Sequence, residues 1–145
     1  MKAISLLLLT LFLGKSCGPS TSCDSASTVL EYTSDSRGNH LNITIANQKA
    51  SISQGRGAEN PAIALAISDA DWKELITYFK AVNLEELSTL KDPTQKRFYD
   101  GAAIAHLKIK YHDTTYETVD FDHGFPPNKI EKLVNKIVAL AKMEE

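Results

Sequence analysis

The sequence predicts a two-layer α+β domain: a mainly antiparallel sheet with two main helices packed on one face. Three observations lead there. Several segments between Thr28 and Phe121 alternate apolar and polar residues with a period of two. Two stretches, Trp72 to Phe79 and Ile130 to Ala141, instead repeat apolar residues at helical spacing. Every strand-like segment has one apolar and one polar side, the pattern of an antiparallel sheet open to water on one face.

The first strand begins at Thr28, where Leu30 and Tyr32 alternate with Glu31 and Thr33, and it ends in the turn-rich run Ser34 to Asn39. In the second, Leu41, Ile43 and Ile45 alternate with Asn42, Thr44 and Ala46. A two-residue turn at Asn47-Gln48 then sets Ile45 opposite Ala50, Ile43 opposite Ile52 and Thr44 opposite Ser51. Apolar meets apolar in that register, and polar meets polar. Asn47 tolerates the positive φ such a turn demands, whereas Gln48 is not a preferred second residue. Residues 55–61 read as a loop, and their short Gly-x-Gly lacks the context of a phosphate site.

Ile63, Leu65 and Ile67 alternate with alanines and form a further strand or an extended approach to the first helix. Ser68 caps that helix, Asp69 and Asp71 suit its positive end, and Trp72, Leu75, Ile76 and Phe79 recur on one side. A short helical turn from Leu84 to Leu90 follows and stops at Asp92-Pro93. The next hairpin is expected to turn through Asp113-Thr114-Thr115. Ile109 then faces Val119 and Leu107 faces Phe121, while Lys108 faces Asp120 and His106 faces Asp122 on the wet side. A two-residue loop would set Ile109 against Thr118 and mix the faces. The last helix starts near Asn128, with Ile130, Leu133, Val134, Ile137, Val138 and Ala141 inward and Lys129, Glu131, Lys132, Asn135 and Lys136 outward.

Ahead of the domain, Lys2 precedes an apolar run from Leu6 to Leu13, broken only by Thr10, and then Gly14-Lys15-Ser16-Cys17. The run is too short to span a bilayer. This segment resembles a bacterial lipoprotein signal, which implies cleavage before Cys17 and lipid on its sulfur. The expected organisation is residues 1–16 as signal peptide, 17–27 as lipidated cysteine and flexible tether, and 28–145 as a single α+β domain. Such a chain can bury roughly two thirds of its unfolded surface, so it needs no disulfide framework. Cys23, the only other cysteine, reads as a tolerated thiol in the tether. With 18 acidic and 16 basic residues the chain carries a formal charge of −2, no field for nucleic acid. The basic cluster Lys91, Lys96 and Arg97 sits beside Asp92 and Asp100 and reads as a solvated loop.

The segment Asp120-Phe121-Asp122-His123-Gly124-Phe125-Pro126-Pro127 is densest in functional residue types. Together with Pro93-Thr94 and Asp100-Gly101-Ala102-Ala103, it resembles an uncharacterised family of small lipoproteins from Bacteroidota, over Asp71 to Leu140. The resemblance implies the cell envelope and no particular chemistry. In this phylum, surface-exported lipoproteins often carry acidic residues soon after the cysteine. Gly18 to Ser22 has none, which implies an outer-membrane anchor facing the periplasm.

No nucleophile elbow, paired-histidine zinc motif, Walker loop or Cys-x-x-Cys is present. The sequence implies no cofactor, no metal and no catalytic residue. His106 and His112, six residues apart, would lie roughly 20 Å from each other along one strand, too far for one ion. The expected function is therefore a lipid-anchored envelope protein whose domain binds an unidentified protein or glycan. The candidate surface is His106, Lys108, Asp120, Asp122 and His123 with the adjoining loops, where Tyr99 and Tyr116 are further contact residues. One alternative is an envelope hydrolase or metal-dependent enzyme using Asp100, Asp122 and His123, which requires those side chains to converge in a pocket. The other is a structural envelope component.

Overall fold

The computed structural model describes residues 27–56 and 60–142. The signal segment, Cys17, Cys23 and all of the tether but residue 27 lie outside the described residues. Seven strands form one sheet: β1 (Thr28–Ser36), β2 (Asn39–Ala46), β3 (Lys49–Gly55), β4 (Ile63–Ala66), β5 (Ile104–Tyr111), β6 (Thr114–Glu117) and β7 (Phe121–Asp122). Their order is β4-β3-β2-β1-β5-β6, with β7 also on β5, and every pair is antiparallel. Two helices, α1 (Asp69–Lys80) and α2 (Glu131–Ala141), complete the α+β domain.

The alternation that predicts the strands also builds the core. Leu30 and Tyr32 of β1, Ile43 and Ile45 of β2, Ile52 of β3, and Leu107 and Ile109 of β5 are buried on one face. Leu75 and Phe79 of α1 and Leu133, Val134, Ile137 and Leu140 of α2 join them in a single cluster. Ser68 caps α1 by accepting from the Asp71 backbone N–H at 3.2 Å. Leu87, in a 3₁₀ segment from Leu84 to Thr89, is buried in the same cluster. Lys136, expected in solvent, reaches from α2 to Asp71 Oδ1 at 2.8 Å and also to Glu74, bridging the two helices.

The β2–β3 hairpin has the predicted register: Ile45 opposite Ala50, Thr44 opposite Ser51, Ile43 opposite Ile52. Asn47 and Gln48 both take positive φ, 50° and 61°. Gln48 has a reason to be there. Its Nε2 donates to the Ile67 carbonyl at 3.0 Å and to Asp69 Oδ1 at 2.6 Å, tying the turn to the start of α1.

The β5–β6 hairpin corrects the expected register. Its turn is His112-Asp113, with φ 52° at His112, so Ile109 faces Tyr116 and Lys108 faces Glu117. Tyr116 packs against the core and Val119 is 45 % exposed, the reverse of the expected arrangement. Beyond Glu117 the ladder changes character. Thr118 N–H donates to the Leu107 carbonyl at 3.0 Å, and its hydroxyl accepts from Leu107 N–H at 3.1 Å in place of a backbone carbonyl. The pairing then resumes one residue out of step, Ala105 opposite Phe121 and Ile104 opposite Asp122, so an extra residue is absorbed between the two short strands.

Candidate functional site

Asp122 is the hub that joins the two motif-bearing segments. Its carboxylate accepts from the Thr94 hydroxyl and the Lys96 backbone N–H, and from Arg97 twice, N–H at 3.1 Å and guanidinium at 3.0 Å. The same guanidinium nitrogen lies 2.8 Å from Asp92 Oδ2. Asp122 is fully buried and Arg97 is 12 % exposed, so Arg97 and Asp92, expected in a solvated loop, join a largely desolvated ion cluster, while Lys91 and Asp100 stay exposed. Burial alone would raise the Asp122 carboxyl, but the donors from Thr94, Arg97 and Lys96 outweigh it and hold the group at about 2. Lys96 and Arg97 open a 3₁₀ turn, Lys96–Tyr99, which Asp122 therefore caps. A second lock sits beside it: His123 N–H donates to the Ala103 carbonyl at 2.9 Å.

Adjacent positions on a strand face opposite ways, and here they separate two roles. Asp122 disappears under the 92–99 loop, while His123 turns to the helix-covered face. Its Nδ1 lies 2.8 Å from Tyr32 Oη. The phenol is buried, which pushes its ionisation upward. The protonated phenol and the neutral imidazole share one hydrogen bond through Nδ1, and Nε2 is the ring nitrogen left outside it. Partial burial, and secondarily the positive charge of Lys142, lower the His123 pKa and favour that neutral form.

His123 also lines a cleft of about 480 Å³. The cleft exists because the inner face of the sheet runs past the last turn of α2. Leu41, Ile52 and Ile63 from the sheet and Val138 and Ala141 from the helix give it apolar walls. Ser34, Ser36, Asn39 and Gln54 continue the inner face as polar groups at the strand ends, and Lys142 stands at the helix terminus. No carboxylate lines the cleft among the described residues. The volume falls in the range of small-molecule sites, and the lining is about evenly polar and apolar.

The structure divides the predicted surface residues among three places. His106, Lys108 and Asp120 share the wet face of the sheet. There His106 lies 3.2 Å from Asp120 and 3.7 Å from Glu117, and Lys108 lies 3.6 Å from Glu31 and 3.7 Å from Glu117. The expected pairs Lys108 with Asp120 and His106 with Asp122 are thus replaced, because the register shift moves Glu117 and Asp120 beside these side chains. Asp122 is withdrawn into its ion cluster, and His123 lies in the cleft. Asp100, in a left-handed backbone conformation with φ 58°, pairs at the surface with Arg37 at 3.5 Å. Asp100, Asp122 and His123 therefore do not meet in one concavity. Tyr99 is 72 % exposed, as expected, and Phe98 beside it is 71 % exposed.

The cleft walls Leu41, Ile63 and Val138 carried no functional signal in the sequence, where each reads as core. Among the described residues, no three His, Cys, Asp or Glu side chains gather as a metal set. Among them, too, no helix is long and apolar enough to cross a membrane. No protein-family model, curated protein or solved structure matches this chain.

Proposed function

We propose that this chain is a binding domain held at the cell envelope by lipid on Cys17, and that the cleft at one end of its sheet holds the ligand. The observation that supports this reading is the polarity of the domain. The chain enters the sheet at Thr28, opposite Tyr111, whereas the cleft lies around Ser34, Ser36 and Asn39 at the other end of the same strands. Eight residue steps of β1 separate the ends, roughly 25 Å. A tether joined at Thr28 attaches at the end of the sheet away from the cleft and so leaves the cleft clear of the anchor. A protein or glycan partner would instead meet the open wet face, where Glu31, His106, Lys108, Glu117 and Asp120 form a continuous charged row.

Replacing the lipid-bearing sulfur tests the anchor. Cys17→Ser is expected to lose lipid labelling and to yield either a soluble domain or an unprocessed precursor. Unchanged mass and unchanged membrane association would refute the envelope address.

A further inference from the structure

The chemistry of the cleft points further than its position. We propose that it takes a single-chain amphiphile with an anionic head, a fatty carboxylate, lying with its chain on the apolar walls and its head between His123 and Lys142. This deepens the reading of the cleft as a ligand site and rests on it.

The walls and the rim ask for different things. Leu41, Ile63 and Val138 present apolar surface, Ile63 being 53 % exposed on the short edge strand β4. An alkyl chain laid there removes that surface from water on both partners. Head-group choice follows from the polar atoms. Lys142 is a cation, and the described lining offers no carboxylate to neutralise it. His123 brings a second polar group, because Tyr32 engages Nδ1 and leaves Nε2 to meet the head. The Lys142 cation with the His123 Nε2 nearby in the lining suits a carboxylate, whereas an ammonium head would meet Lys142 as a like charge. The cleft is open at the strand ends, so a ligand can reach it without the domain unfolding.

Native mass spectrometry of the full chain, purified as the cell makes it, tests the proposal with decanoate, decanol and decylamine as probes. Decanoate is expected to bind as one saturable equivalent and more tightly than the other two. Lys142→Glu, at an exposed position past α2, should weaken decanoate about fivefold. Ala141→Trp, which fills the cleft from the helix end, should abolish it, with thermal melting confirming that both variants fold. Stronger saturable binding of decanol or decylamine, still lost in Ala141→Trp, would overturn the carboxylate and leave the cleft as a ligand site. Saturable binding of none of the probes, or binding that Ala141→Trp leaves intact, would overturn the cleft itself.

Discussion

Asp122 shows how a residue that looks catalytic can be architectural. The sequence places it on a candidate surface with His106, Lys108, Asp120 and His123, yet its partners Thr94, Lys96 and Arg97 lie 25 to 28 positions away. Such a contact leaves no local trace in the sequence. Asp122→Ala leaves Arg97 with Asp92 alone and takes the acceptor from the Thr94 hydroxyl and the Lys96 and Arg97 N–H groups, so it should cost about 3–5 kcal/mol in chemical denaturation. The pH dependence has a definite sign. The folded carboxyl titrates near about 2 against an ordinary 3.8, so its contribution is complete above 3.8 and fades as pH falls toward 2. Asp122→Ala should flatten that limb of the stability profile. A loss below about 1 kcal/mol, or an unchanged acid limb, would show that the ion cluster does not hold the loop. His123 was legible as a functional type, but its partner Tyr32, 91 residues away, was not.

The elements read unequally well, and the reason is visible in their turns. At Asn47-Gln48 the alternation on both strands selects one register, and the structure adopts it. After β5 the same reasoning failed because it assumed a single continuous ladder. The second strand is in fact two short pieces, β6 and β7, joined where the Thr118 hydroxyl replaces a backbone acceptor. A threonine in a strand reads as an ordinary β-former, so nothing in the sequence marked the slip. The consequence can be measured. Thr118→Val keeps the shape but leaves the Leu107 N–H without its partner in a buried position, and should destabilise by about 1–3 kcal/mol. Thr118→Ser retains the acceptor and should lose less. A Thr118→Val protein as stable as the parent, with the loss confined to Thr118→Ser, would assign the effect to the methyl group instead. The capped first helix was the easiest element to foresee, because Ser68, Asp69 and Asp71 each suit the helix start.

At the scale of the molecule, the layer count, the antiparallel sheet and the inward residues of both helices follow from periodicity alone. Periodicity cannot say how far a helix extends over the sheet it covers. That overhang decides where the cleft opens, since Leu41 and Ile63 of the sheet would be ordinary core residues beneath a longer α2. The domain thus has a chain-entrance end and a concave end, and the binding proposed at the concave end rests on its lining and its position away from Thr28. The sharpest measurement is an amide map: proton–nitrogen spectra of the protein recorded during titration with decanoate. Shifts concentrated at Leu41, Gln54, Ile63, His123 and Val138, and absent in Ala141→Trp, are the expected result. Shifts centred on His106, Lys108 and Glu117 of the wet face, with the cleft amides unmoved, would contradict the placement of the site.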